Sequence, residues 1–164
     1  MAGGEGDGFL QGESGPDLLI GGPGADYHQG GAGADKFLFN QGDSPTASAL
    51  TSPTIGLANG FDWVKDFALG DSILLPGLSR QEPVANTPLQ LGDQKYAFLL
   101  GEVSGVGAAM VFEPGMTESG SKGLVLYDAN PATGSVTPSV ILVDPAAGYT
   151  FNFNFQQSGV ILGG

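Results

Sequence analysis

The sequence predicts an all-β chain, in which a right-handed parallel β-roll over residues 1–78 is followed by a β-strand-rich C-terminal cap over residues 79–164. Three observations carry this reading. A nonapeptide recurs four times in phase from Gly3. Glycine and aspartate hold fixed places inside it. The second half carries short apolar, β-branched runs between Gly/Pro/Asn/Asp segments, and no stretch of it has a convincing helical period.

The repeat blocks are GGEGDGFLQ (3–11), GESGPDLLI (12–20), GGPGADYHQ (21–29) and GGAGADKFL (30–38). Glycine stands first and fourth in all four, and aspartate stands sixth in three, as Asp17, Asp26 and Asp35. The eighth place is Leu10, Leu19, His28 and Phe37. A six-residue glycine-rich turn followed by a three-residue strand accounts for this period. Glycine permits positive φ and lets carbonyls turn toward a cation. Strand alternation points the eighth residue into the core. Two units make one coil of eighteen residues, so a turn lies beside the turn two blocks on, at the usual strand spacing of roughly 4.8 Å.

Charge says what such turns can hold. The 164 residues include 17 acids against 5 Lys+Arg, a net charge of −12. Residues 1–71 carry ten acids and two bases, Lys36 and Lys65. This balance argues against nucleic acid and anionic membranes, which need basic surfaces, and favours a cation. Carbonyls and one carboxylate per turn form an oxygen-only cage that suits calcium better than zinc or magnesium. The absence of cysteine excludes disulfides and thiolate metal sites. No N-terminal apolar leader is visible, and no apolar run is long enough for a membrane span.

The four blocks resemble the RTX (repeats-in-toxin, haemolysin-type) nonapeptide GGxGxDxUx over about Gly3 to Phe39. The resemblance implies a calcium-binding β-roll with ligands from the second, fourth and sixth places of each turn. These are Glu13 (through its carbonyl), Gly15 and Asp17; Gly22, Gly24 and Asp26; and Gly31, Gly33 and Asp35. The first block departs, with Gly8 where aspartate belongs and Asp7 one place early, which leaves a defective turn. Glu13 replaces a glycine, at little cost if only its carbonyl is used.

Residues 40–58 break the period and read as a loop. The segment GFDWVKDFALGDSILLPGL (60–78) resembles the DxIxDFxxGxDxIxL element that closes RTX rolls in secreted metalloproteases and alginate epimerase modules, which implies Asp62 as a further calcium ligand. Ile55 stands where that element has an upstream acid, and Asp43 is the candidate substitute. Asp66 and Asp71 read as turn-ordering residues. In the second half, YAFLL (96–100), AAMVF (108–112), GLVLY (123–127), SVILV (139–143) and the alternating TFNFNFQ (150–156) read as strands that cover the open end of the roll. GLVLYDANPATGS (123–135) has a faint likeness to C-terminal parts of bacterial RTX proteins. The ending QQSGVILGG is either a final strand or an uncleaved export signal.

Several single residues carry rival readings. His28, the only histidine, invites a zinc or general-base role, but at a core-facing place packing is preferred. Trp63 could stack on a sugar, and packing is again preferred. Phe151, Phe153 and Phe155 read as core or end-cap rather than as a partner strip. No GxSxG, HExxH or P-loop occurs, so catalysis has no footing. The expectation is a non-enzymatic, secreted, extracellular module of type I export that binds calcium ions and folds with them. The rival is an auxiliary module of a larger secreted protein, covalently linked to a catalytic domain (protease, lipase or epimerase) or to an adhesive, carbohydrate-binding one.

Overall fold

The computed structural model describes residues 1–51, 54–81, 91–92, 94–115, 122–129, 138–151, 153–156 and 159–164. Each nonapeptide forms a turn and then a three-residue strand: β1 (Phe9–Gln11), β2 (Leu18–Ile20), β3 (Tyr27–Gln29) and β4 (Lys36–Leu38). The middle residues Leu10, Leu19, His28 and Phe37 are buried. Strand β1 pairs parallel with β3, with Phe9 opposite Tyr27, and β2 pairs parallel with β4, with Leu18 opposite Lys36. Successive repeats therefore alternate between two sheets, and one coil takes eighteen residues. This is a parallel β-roll.

Residues 40–58, expected to be a loop, carry two short strands, β5 (Ala49–Thr51) and β6 (Thr54–Gly56), paired antiparallel. The roll then resumes. Strand β7 (Asp62–Phe67) pairs parallel with β3, with Trp63 opposite Tyr27, and β8 (Ser72–Leu74) pairs parallel with β4, with Ser72 opposite Lys36. Both partners stand 36 residues on, two coils in sequence and one step in space. The excursion thus consumes one coil's length and leaves the nine-residue phase intact. Val64 and Ile73, at eighth places of that phase, are fully buried.

The second half supplies β9 (Ser79–Arg80), β10 (Lys95–Ser104), β11 (Val111–Pro114), β12 (Lys122–Tyr127), β13 (Ser139–Pro145), β14 (Phe153–Gln156) and β15 (Val160–Gly163). It covers the roll edge to edge. Strand β13 pairs parallel with β7, and β15 pairs antiparallel with β8. One sheet runs β1-β3-β7-β13-β12-β10-β11-β6-β5, with β9 beside β10, and the other runs β14-β15-β8-β4-β2. Both strand edges that the last coil would leave open are paired, which removes a template for aggregation.

Two strand expectations shift. In AAMVF, Ala108 and Ala109 lie in a 3-10 turn, and the strand starts at Val111. The cause is local, since Gly105 and Gly107 take positive φ and bend the chain there. In TFNFNFQ the strand is Phe153–Gln156, and Thr150 and Phe151 are not part of it. Phe151 and Phe155 pack against Phe98, with ring centroids 6.3 and 5.7 Å away; Asn152 and the Phe153 side chain lie outside the described residues, as do residues 130–135 of the GLVLYDANPATGS segment. The end of the chain, VILG, is a strand.

One core cluster fills the roll and the space between the sheets, with Leu19, Phe37, Phe39, Val64, Phe67 and Ile73 among its members. A second lies on the other face of the large sheet, where Ala47, Ile55 and Leu57 cover Leu124, Leu126, Val140 and Leu142. With both faces covered, β12 and β13 are continuous apolar runs rather than alternating ones. Among the described residues no helix is long and apolar enough to cross a membrane.

Candidate metal centre in the stacked turns

The turns of the roll stack along two edges. On the first edge lie the turns 12–17, 30–35 and 66–71. The Asp17 N–H donates to Asp35 Oδ1 at 2.9 Å, and the Asp35 N–H donates to Asp71 Oδ1 at 2.9 Å. The backbone ladder runs alongside: Ala32 N–H to the Glu13 carbonyl at 2.9 Å, and Gly15 N–H to the Ala32 carbonyl at 2.7 Å. Asp66 accepts the Gly30 and Gly31 N–H groups, one on each oxygen, both at 2.9 Å. Glu13, Gly15, Asp17, Gly31, Gly33 and Asp35 are therefore brought together in two adjacent turns.

On the second edge the turn 21–26 lies beneath the turn 3–8. The Gly8 N–H donates to Asp26 Oδ1 at 2.7 Å, and the Asp26 N–H donates to Asp62 Oδ1 at 2.8 Å. Asp7 accepts the Ala25 N–H at 2.9 Å, so the early aspartate of the first block ties its turn to the next one. The Asp43 carbonyl accepts the Gly24 N–H at 3.1 Å, while its carboxylate is used by Asn40 of its own turn. Gly22, Gly24, Asp26 and Asp62 share this edge, across the core from Asp17 and Asp35. The second oxygen of Asp62 accepts the Ser44 hydroxyl, which lies 2.6 Å from the Tyr127 hydroxyl on β12.

Among the described residues no lysine or arginine forms an ion pair with the stacked aspartates. Asp26, Asp35, Asp62 and Asp71 are almost fully buried. Burial pushes the Asp62 carboxyl up to about 7, against hydrogen bonds from Ser44 and Asp26 and with the added repulsion of Asp26 and Asp43. Burial likewise raises Asp71 to about 6. Asp26 and Asp35 are raised for the same first reason, with Asp7 and Asp43 repelling the former and Asp17 and Asp66 the latter. Most telling, Asp17 Oδ2, Asp26 Oδ2 and Asp35 Oδ2 are buried with no hydrogen-bond partner. A buried carboxylate oxygen left unpaired is costly, and it recurs at the same place in three successive repeats.

Residues 2–43 match the family described as the RTX calcium-binding nonapeptide repeat, in four copies. This segment is an RTX repeat array. RTX repeats form β-rolls and bind calcium, so calcium is the cofactor of this chain. No curated protein matches the chain. The RTX turns fit a hard cation on the structure's own terms: the donors are all oxygens, three carboxylate oxygens are orphaned, and like-charged aspartates are stacked one coil apart.

The structure also shows where the array continues. Asp62 and Asp71 stand 36 residues after Asp26 and Asp35 and repeat their hydrogen bonds. Asp71 is more than the turn-ordering residue its sequence suggests. It does order its turn, accepting the Ala68 N–H at 2.8 Å, but it is also the sixth-place aspartate of the last block. Counting in nines through the irregular stretch was the signal that could have found it. Trp63 packs between Tyr27 and Phe61, at centroid distances of 5.6 and 6.0 Å, with Lys65 Nζ 4.4 Å from its ring. His28 is buried between Phe37 and Phe39, and burial holds its imidazolium down at about 4, so the ring is neutral.

Proposed function

We infer that this chain is a non-enzymatic, secreted module whose fold is completed by calcium. The observation that carries the reading is the set of three orphaned carboxylate oxygens on Asp17, Asp26 and Asp35. On the first edge the ion would be held by Asp17 and Asp35 with the carbonyls of Glu13, Gly15, Gly31 and Gly33. On the second edge it would be held by Asp26 and Asp62 with the carbonyls of Gly22 and Gly24. Without a cation the stacked acids repel and the turns lose their mutual support. In a calcium-poor cytosol the array stays open, and outside the cell it closes.

Weak sites suffice. At a Kd of about 10⁻⁴–10⁻³ M, as in extracellular calcium modules, calcium at ten times Kd adds about 1.4 kcal/mol per site. Two or three sites give roughly 3–4 kcal/mol, a large share of a small domain's stability. The division at residue 78 has the same logic: residues 1–78 wait for calcium, and 79–164 provide the sheet edges against which the roll closes. The test is far-UV circular dichroism of the whole chain in chelator, in excess calcium and in excess magnesium. Calcium should raise the β signal and the melting temperature, and magnesium at equal concentration should do much less, because it demands a tight octahedron and keeps its waters. A spectrum and melting point unchanged by calcium would end this reading.

A further inference from the structure

The two edges of the roll are not equivalent. On the first, every inward neighbour of the stacked aspartates is apolar: Leu19 and Phe37 follow Asp17 and Asp35 two residues on, on the same strand face. On the second, the residue two places after Asp26 is His28. Parallel register sets Tyr27 opposite Trp63 and His28 opposite Val64, which puts Asp62 beside Asp26 on the same inward face. Asp26, His28 and Asp62 each offer one ligand atom, and these atoms lie within 4.8 Å of one another. All three residues are at most 1% exposed.

The histidine supplies an independent observation. Neither His28 Nδ1 nor Nε2 has a hydrogen-bond partner, and Asp26 Oδ2 beside it has none either. Buried histidines are ordinarily satisfied through at least one nitrogen. The ring is walled by Phe39 and Phe37, at centroid distances of 5.1 and 6.2 Å, and the carboxyl groups of Asp26 and Asp62 stand within ligand reach of it. We propose that Asp26, His28 and Asp62 form a mixed nitrogen–oxygen site for a divalent transition ion of the zinc class. Calcium has little use for an imidazole, whereas zinc and its neighbours take it readily. An ion about 2.1 Å from each atom in a tetrahedral shell sets ligand pairs about 3.4 Å apart, so a pair at the 4.8 Å limit closes by about 1.4 Å. Calcium and the transition ion share Asp26 and Asp62 and exclude one another on this edge. The first edge keeps an all-oxygen environment, so the site does not depend on the calcium reading there.

The sequence makes the test clean, because His28 is the only histidine and the chain has no cysteine. Untagged, metal-stripped full chain is titrated with Zn²⁺, and zinc-edge X-ray absorption is recorded at one equivalent. The expected result is one bound zinc with one imidazole nitrogen in its shell. His28→Leu, which restores the residue found at positions 10 and 19, should weaken zinc binding at least tenfold while keeping calcium-dependent folding by circular dichroism. Asp35→Asn should impair calcium binding on the first edge and leave the zinc equivalent in place, so the two readings fail separately. An all-oxygen zinc shell in the wild type, zinc binding unchanged in a folded His28→Leu, or no zinc retained by the wild type would each overturn the proposal.

Discussion

At the residue scale, the second place of each repeat shows what the turn demands of its backbone. Gly4, Glu13, Gly22 and Gly31 have φ of +101°, +72°, +93° and +91°. A left-handed conformation costs an L side chain roughly 1–2 kcal/mol, so Glu13 is not the near-neutral replacement its carbonyl role suggests. It is tolerated for a steric reason. A Cβ on Gly22 would collide with the Gly4 carbonyl, and one on Gly31 with the Glu13 carbonyl, because each sits directly beneath an earlier turn. Glu13 belongs to the first turn of its edge and has no such turn above it. Glu13→Gly is therefore expected to stabilise the calcium-saturated protein by about 1 kcal/mol, and Gly31→Ala to destabilise it by about 2–3 kcal/mol. Urea denaturation in excess calcium measures both. A neutral Glu13→Gly together with a tolerated Gly31→Ala would mean that these turns are not held as described.

At the element scale, hydrogen bonds assign the aspartates to edges, and the edges predict coupling. Asp17 and Asp35 are joined directly on one edge, and Asp26 is joined to Asp62 on the other. Asp17→Asn and Asp35→Asn should each remove the same calcium ion, and the double variant should lose little more than either. Asp26→Asn should add nearly independently to both. Calorimetric titration of the three single and three double variants decides this; additive loss for Asp17 with Asp35 would contradict the stacking. This pairing was legible in the sequence, since a nine-residue period with one aspartate per turn fixes both the coil length and the edge. Asp71 was harder to see because its block carries Asp66 and Leu69 at the first and fourth places, where glycine marks the other repeats. The β5–β6 hairpin was not legible. Its partner β11 lies more than fifty residues downstream, and a small, polar, proline-containing stretch carries no strand period. The strands of the second half were visible as apolar runs, but their neighbours were not. Local composition says that SVILV is a strand; it does not say that Ile141 lies opposite Asp62.

At the scale of the whole molecule, the acidic turns are wired into the second half. Asp62 reaches Tyr127 through Ser44, and Asp144 on β13 joins Lys65 on β7 at 2.7 Å and Lys122 on β12 at 2.5 Å. These contacts couple the turns to β12 and β13, and proton uptake should favour the closed roll much as calcium does. The folded carboxyls of Asp62 and Asp71 titrate at about 7 and about 6, above the usual value of 3.8. Between those limits the metal-free folded state holds more protons than the unfolded chain, so its stability rises as pH falls. His28 opposes this: its folded value of about 4 lies below 6.5, so stability is lost as pH drops through that interval. Asp26 and Asp35 are raised as well, and the acids outnumber the single histidine. The metal-free chain should therefore gain β structure and melting temperature on going from pH 7.5 to 5. The calcium-loaded chain should move the other way, because protons compete with calcium for the same carboxylates. Thermal melts followed by circular dichroism, in metal-free buffer and in excess calcium at pH 7.5, 6.5 and 5, give two curves that converge toward acid. If the metal-free protein loses structure on acidification, the burial of charged aspartates is not what keeps the roll open.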